Sequence, residues 1–432
     1  MTLSPPVTPA SPPAPGQDAP PPLRPGDPGM RRVRLGLFAA GLATFALLYT
    51  PQPLLPLLSG AFRVSPAAAS LAMSAGTFAL ALAIIPVSSL SEVCGRRAVM
   101  TVSVLTAALL GLVAPLSVSL PMLIAVRVLQ GFALAGVPAT AMAYLAEEVD
   151  RAHLGRAMGL YIAGNAIGGL GGRVIAGVLA DAAGWRVAAA GVAGLALACA
   201  LAFTLLLPRS AHFSPTPPRL RALRQTLGRN LADSGLLRLY LIGFALMGAF
   251  VTVYNYLTFR LSAAPYGLSA SVIGALFTVY LAGTWASTTA GRLADRAGRR
   301  RVLVAGVAVA IAGVALTLPS SLAVIVAGLV VLTAGFFAAH SVASGWVGAR
   351  APVAPAQASA LYLCLYYLGS SVAGSAGGLF WTRGGWPAVA LFAAALLLVA
   401  LGCALSLVSR RPAASRGPGP GPGPGPERSP GR

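Results

Sequence analysis

Twelve apolar runs recur along the 432-residue chain. Each is close to the ~20 residues a helix needs to cross hydrocarbon. They cover residues 35–58, 67–90, 99–118, 120–145, 154–180 and 187–207, then 239–257, 269–290, 302–318, 322–347, 358–381 and 388–407. Most of the breaks between them are short and carry arginine, and one longer basic stretch lies in the middle. This pattern predicts an all-α integral membrane protein of twelve transmembrane helices. Residues 1–30 are Pro-rich without a long apolar run, and 412–432 end in a Gly-Pro repeat, so both read as disordered cytoplasmic tails. Between them the chain divides into an N-terminal bundle (31–207), a basic cytoplasmic linker (208–238) and a C-terminal bundle (239–411).

Composition narrows the class further. Only 9% of residues are charged and 56% are hydrophobic, against about 25% charged in a soluble domain. A water-soluble enzyme or nucleic-acid binder is excluded. The net charge of +21 comes entirely from arginine, since the chain has no lysine, and its placement argues for a bilayer rather than a polyanion. With the N-terminus inside, 25 arginines fall on the cytoplasmic side, 4 on the opposite side and 2 (Arg127, Arg173) within spans. That asymmetry is a positive-inside signal placing both termini in the cytoplasm of a multi-pass inner-membrane protein. Cys94, Cys199, Cys364 and Cys403 lack the spacing of a metal site or disulfide framework. No metal, cofactor or enzymatic constellation is expected.

The two halves repeat. Ser88–Arg97, after span two, matches Gly291–Arg300, after span eight, at an offset of 203. Gly131-Phe132 matches Gly335-Phe336, Tyr161-x-x-Gly164 matches Tyr366-x-x-Gly369, and Gly184-Trp185 matches Gly385-Trp386, at offsets of 204, 205 and 201. A duplicated six-helix unit follows: two pseudo-symmetric bundles of the kind that hold a substrate site between them near the midplane.

The segment Gly291-x-Leu-x-Asp295-x-x-Gly298-Arg299-Arg300 resembles the loop signature of the major facilitator superfamily. The first copy carries Glu92, Gly95, Arg96 and Arg97 but has Ser88 in place of glycine. The resemblance covers about residues 31–411. It implies a monomeric transporter whose loops at Glu92 and Asp295 bias a gate. In span four, Arg127-x-x-Gln130-Gly131 resembles the family motif associated with proton-coupled exporters; Arg127 and Gln130 share a helix face. In span five, Gly164-Asn165-x-x-Gly168-Gly169 resembles the antiporter motif of exporters, with Asn165 where the motif has proline and Arg173 one turn beyond. The same glycines are also expected simply to admit a close neighbouring helix.

His340 lies within span ten and is a candidate proton carrier, alongside Arg127 and Gln130; a satisfied hydrogen-bonding role is the alternative. Glu147 and Glu148, at the cytoplasmic end of span four, are candidates for the same task, the favoured alternative being a solvated helix end paired with Arg151. Tyr49, Gln52, Asn255, Tyr280, Tyr362 and Tyr366 fall on polar or aromatic helix faces suited to a substrate cavity. No span holds a carboxylate near its middle, so a buried cationic substrate lacks a countercharge and a neutral or anionic solute is favoured. The expected function is export of a small sugar-like or drug-like solute by alternating access with proton antiport, in the manner of the family's sugar- and drug-efflux branch. An importer or uncoupled facilitator, and a non-transporting receptor, are the alternatives.

Overall fold

The structure, a computed structural model, describes residues 21–215, 220–351 and 354–407, and all its regular elements are helices. Span one is α1 (Pro28–Tyr49) continued across Thr50 by α2 (Pro51–Phe62), because Pro51 has no N–H to extend the first hydrogen-bond ladder. Span two is α3 (Pro66–Cys94), and span three is α4 (Arg96–Val113) with a terminal 3₁₀ turn. Span four is α5 (Leu120–Leu134) with α6 (Gly136–Glu148).

Spans five and six are two helices that meet at a break within α7 (Leu154–Leu206). At ~1.5 Å per residue its 53 residues run about 80 Å, twice a bilayer crossing. The break is Gly184, whose φ of 81° a side chain would resist. The second half repeats this plan. After a linker helix, α8 (Leu220–Ala232), come α9 (Ser234–Ser262), the short α10 (Ala270–Ala275), α11 (Tyr280–Ala297), α12 (Arg299–Leu316) and α13 (Leu322–Arg350). A 3₁₀ turn joins α10 to α11 within span eight. Spans eleven and twelve are α14 (Pro355–Ser406), broken at Gly384 and Gly385.

The repeat is visible in packing. α1 lies along α7 as α9 lies along α14, and α3 packs on α5 as α11 packs on α13. A methyl group on Gly164 would overlap the Phe38 carbonyl, and one on Gly369 would overlap the Phe244 carbonyl. Both inner pairs therefore approach backbone to backbone through glycine. The two signature loops turn at Gly95 (φ 93°) and Gly298 (φ 90°), where glycine is required by conformation and not by space.

Between the halves α3 meets α14 and α7 meets α10. The hydrogen bonds that join them lie toward the arginine-poor end. Tyr256 donates to Ser70 Oγ (3.1 Å) and Ser371 to the Ser74 carbonyl (2.7 Å). Ala270 N and Ser271 N donate to Asp181 at 2.9 and 2.8 Å, and the Ser271 hydroxyl bonds the same carboxylate.

Several expectations need correction. The N-terminal tail is ordered from at least residue 21: Leu23 bridges to Val149, and α1 starts at Pro28, ahead of residue 31. Residues 1–20 and the C-terminal tail 412–432 lie outside the described residues. Glu147 pairs with Arg96 (3.1 Å) and Glu148 with His212 (3.1 Å), so neither is a solvated partner of Arg151. Trp386, which the interfacial Trp and Tyr belts near span ends would also account for, is instead buried and donates to the Thr317 carbonyl at 2.9 Å.

Candidate functional site

Span one unwinds its hydrogen bonding where proline is densest. In a continuous helix the Leu47 carbonyl would accept from residue 51, but Pro51 has no N–H to give. Arg127 Nη1 takes that place at 3.0 Å. Its Nη2 donates to the Leu48 carbonyl (2.8 Å), its Nε to the Ala72 carbonyl (3.0 Å), and Nη1 also bonds Gln130 Oε1. Gln130 passes the link on to the Ala107 carbonyl of α4 (2.9 Å). Arg127 and Gln130 thus tie α5 to α1, α3 and α4, away from the large central cavity, and Arg127 is 3% exposed.

That cavity, about 530 Å³, lies between the halves. Toward the arginine-rich side it is lined by Met142, Ile162, Ser344 and Ser359, of which Met142 and Ile162 are exposed. Toward the arginine-poor side the lining includes Arg173, 2% exposed. Just beyond, the Arg173 carbonyl sits 2.8 Å from where a methyl on Gly274 would project, so α7 and α10 seal the passage.

Arg173 stands in an aromatic cage, its guanidinium carbon 4.0 Å from the ring centre of Tyr49, 4.6 Å from Phe277 and 5.0 Å from Tyr280. Its Nε donates to Gln52 Oε1 (2.8 Å) and its Nη1 to the Gly169 carbonyl (2.6 Å). Gln52 Nε2 in turn donates across the halves to Asn255 Oδ1 (2.9 Å). Gln52 and Asn255 are therefore behind the cavity wall, whereas Tyr49, Tyr280, Tyr362, Tyr366 and Asn165 line it. His340 lines it too. Its Nδ1 lies 2.9 Å from the Tyr362 hydroxyl, and its ring stacks on Phe336. No Asp or Glu side chain lines the cavity.

The span-five glycines divide by face. Gly164, Gly168 and Gly172 abut Phe38, Leu42 and Ala46 of α1, and Gly169 faces Tyr49 and Arg173. In the signature loops, Arg97 donates to the Leu207 and Thr204 carbonyls (2.9 and 3.1 Å), and Arg300 donates to Leu405 at the matching place. Each arginine satisfies orphan carbonyls at the end of its half's last helix. Arg96 holds Glu147. Glu92 is half-buried; Gly291, Asp295 and Arg299 are exposed, and neither loop carboxylate forms an ion pair among the described residues. Phe250, Phe336 and Phe337 line the cavity and escaped the sequence reading. Phe250 stacks on Phe336 at 3.9 Å. Phenylalanines in an apolar run look like core, and only the Gly335-Phe336 repeat match, which holds Phe336 alone of the three, marked the place.

Two adjoining stretches, residues 37–265 and 261–430, match the Major Facilitator Superfamily. The chain belongs to that family. Major facilitator relatives include the inner membrane transport protein YnfM of Escherichia coli, 49% identical over 88% of this chain and 91% of that protein. The uncharacterized MFS-type transporter YybF of Bacillus subtilis is 43% identical over 88% of this chain and 94% of its own. Among solved major facilitator structures, a bacterial homologue of the human lysosomal transporter Spinster, inward-facing and occupied, superposes with a TM-score of 0.68 at 17% identity, covering 88% of this chain and 95% of that one. The nucleoside transporter NupG gives 0.70 at 15%, covering 86% and 99%. Membership makes the chain a multi-pass membrane transporter of a small molecule and not an enzyme.

Proposed function

We propose that this major facilitator protein exports a small neutral or anionic organic solute across the inner membrane by alternating access, in exchange for protons, working as a monomer. The observation that carries the reading is the cavity: aromatic walls, one buried arginine, no carboxylate, and an opening toward the arginine-rich side, where the lining residues Met142 and Ile162 are exposed. With arginine-rich loops facing the cytoplasm, that opening is where a cytoplasmic solute would load. Bundles 31–207 and 239–411 would rock about the closed end, with the loops at Glu92 and Asp295 biasing the gate. The span-five resemblance to antiporter motifs supports outward direction, and His340 is the one imidazole in the cavity wall available to take up a proton.

A second reading has its own support. Without a membrane-embedded carboxylate, proton coupling rests on His340 alone, which favours an uncoupled facilitator or importer as the competitor. Inside-out vesicles from a transporter-depleted host separate the two. The vesicles are driven by an acid-inside gradient and loaded from a mixture of neutral, anionic and cationic solutes. Accumulation of neutral or anionic solutes that collapses with the gradient supports proton-coupled export. Accumulation of cations alone sinks the cavity-charge argument, and equilibration indifferent to the gradient supports the facilitator.

A further inference from the structure

Arg173 uses only two of its five N–H donors in hydrogen bonds among the described residues. A buried guanidinium is costly unless its charge is compensated. Nε and Nη1 have acceptors in Gln52 and the Gly169 carbonyl, while Nη2 has none among the described residues, and Arg173 is one of the residues lining the cavity. The rings of Tyr49, Phe277 and Tyr280 offset part of the charge. No acidic side chain does so from the cavity lining. Arg127 shows the contrast: all three of its nitrogens have acceptors.

We propose that Arg173 is the seat for the substrate's own negative charge, and that the substrate is an organic monocarboxylate with a flat apolar or aromatic body. This rests on the transporter reading above and narrows its substrate class. A carboxylate presents two oxygens to the guanidinium edge in the geometry arginine favours. One resident cation matches one negative charge. A dianionic phosphate would leave its second charge unpaired in a wall otherwise built of rings and hydroxyls. The body is accommodated by the face formed where Phe250 stacks on Phe336 (3.9 Å) and meets Tyr280 (5.6 Å). Hydroxyls of Thr284 and Ser341 are nearby in the lining for a polar substituent. A volume of about 530 Å³ lies within the roughly 300–1,000 Å³ of small-molecule sites.

The test is binding to the purified full chain in nanodiscs, read by calorimetry, with four probes that share one ring system: 2-naphthoate, 2-naphthamide, 2-naphthylmethylammonium and 2-naphthyl phosphate. The carboxylate should bind at least about tenfold more tightly than the amide, the margin of one charge-assisted hydrogen bond, and the ammonium should bind weakest. Arg173→Gln should erase that margin, and Arg173→Lys should keep part of it. If Arg173→Gln does not fold, the wild-type charge preference and Arg173→Lys carry the test. Equal binding of amide and carboxylate, absence of carboxylate binding, or a margin that survives in Arg173→Gln overturns the seat. Tighter binding of the phosphate overturns the monocarboxylate assignment. Charge-selective binding without gradient-driven flux in vesicles would overturn the export reading and uphold the seat. Flux without charge selectivity would do the reverse.

Discussion

Arg127 and Arg173 are both arginines buried inside spans, and what surrounds each separates them. Arg127 replaces a helical N–H that Pro51 cannot supply and bonds the carbonyls of Leu47, Leu48 and Ala72. Removing it leaves buried carbonyls and Gln130 without a donor. Arg127→Ala should therefore lower folding stability by about 3 kcal/mol or more, each hydrogen bond to a charged group being worth roughly 1.5–3. A thermal unfolding scan in detergent would show a lowered midpoint and reduced yield. A variant that unfolds like wild type yet fails to transport would instead put Arg127 in the coupling step. His340, bonded to Tyr362 at the cavity wall, gives the complementary expectation. His340→Gln retains a hydrogen-bonding group but no titratable one, so vesicle transport should persist while losing its dependence on the pH gradient.

At the scale of elements, the glycines of α7 are not equivalent. A methyl on Gly168 would overlap the Leu42 carbonyl and come within 2.6 Å of its Cα, whereas a methyl on Gly171 meets nothing within 4 Å. Gly168→Ala should cost about 1–3 kcal/mol through overpacking of α1 on α7. Gly171→Ala should leave stability unchanged or slightly higher, because alanine is the better helix former. Paired melting curves check both. The i, i+4 spacing of Gly164 and Gly168 was readable in the chain, whereas the positive φ of Gly95 and Gly298 is a finding of the structure. The Arg97 and Arg300 caps were not readable, since their acceptors lie over a hundred residues further along the chain and meet them only when each half closes on its last helix.

For the whole molecule, closure of the arginine-poor end depends in part on Asp181. Partial burial pushes its carboxyl pKa up, but hydrogen bonds from the hydroxyl and N–H of Ser271, with Ser269 and the Ala270 N–H, hold it below its ordinary value. A carboxylate depressed in this way supports the closed form above its ordinary pKa near 4 and loses that support as pH falls through the depressed value. Asp181→Asn should shift the population toward opening at this end at neutral pH. Spin labels on α10 and on the stretch of α7 that faces it beside the Gly184 break would report longer distances, and acidification of wild type should reproduce the change. Unaltered distances in Asp181→Asn would show that the glycine contact of α7 with α10 suffices.

Twelve spans, their duplication and the family are properties of the sequence itself. Apolar length, arginine placement and the Gly298-Arg299-Arg300 signature are local patterns that need no neighbour to be recognised. Tyr49, Tyr280, Tyr362 and Tyr366 were legible as cavity residues for the same reason, each lying on a polar or aromatic face of its own helix. Tertiary structure decided what local pattern could not. It put Gln52 and Asn255 behind the wall, sent Arg127 to mend span one, and gathered Tyr49, Phe277 and Tyr280 from both halves around Arg173. A buried charge takes its meaning from the acceptors within a few ångströms of it, and here those acceptors and rings arrive from helices far apart in the chain.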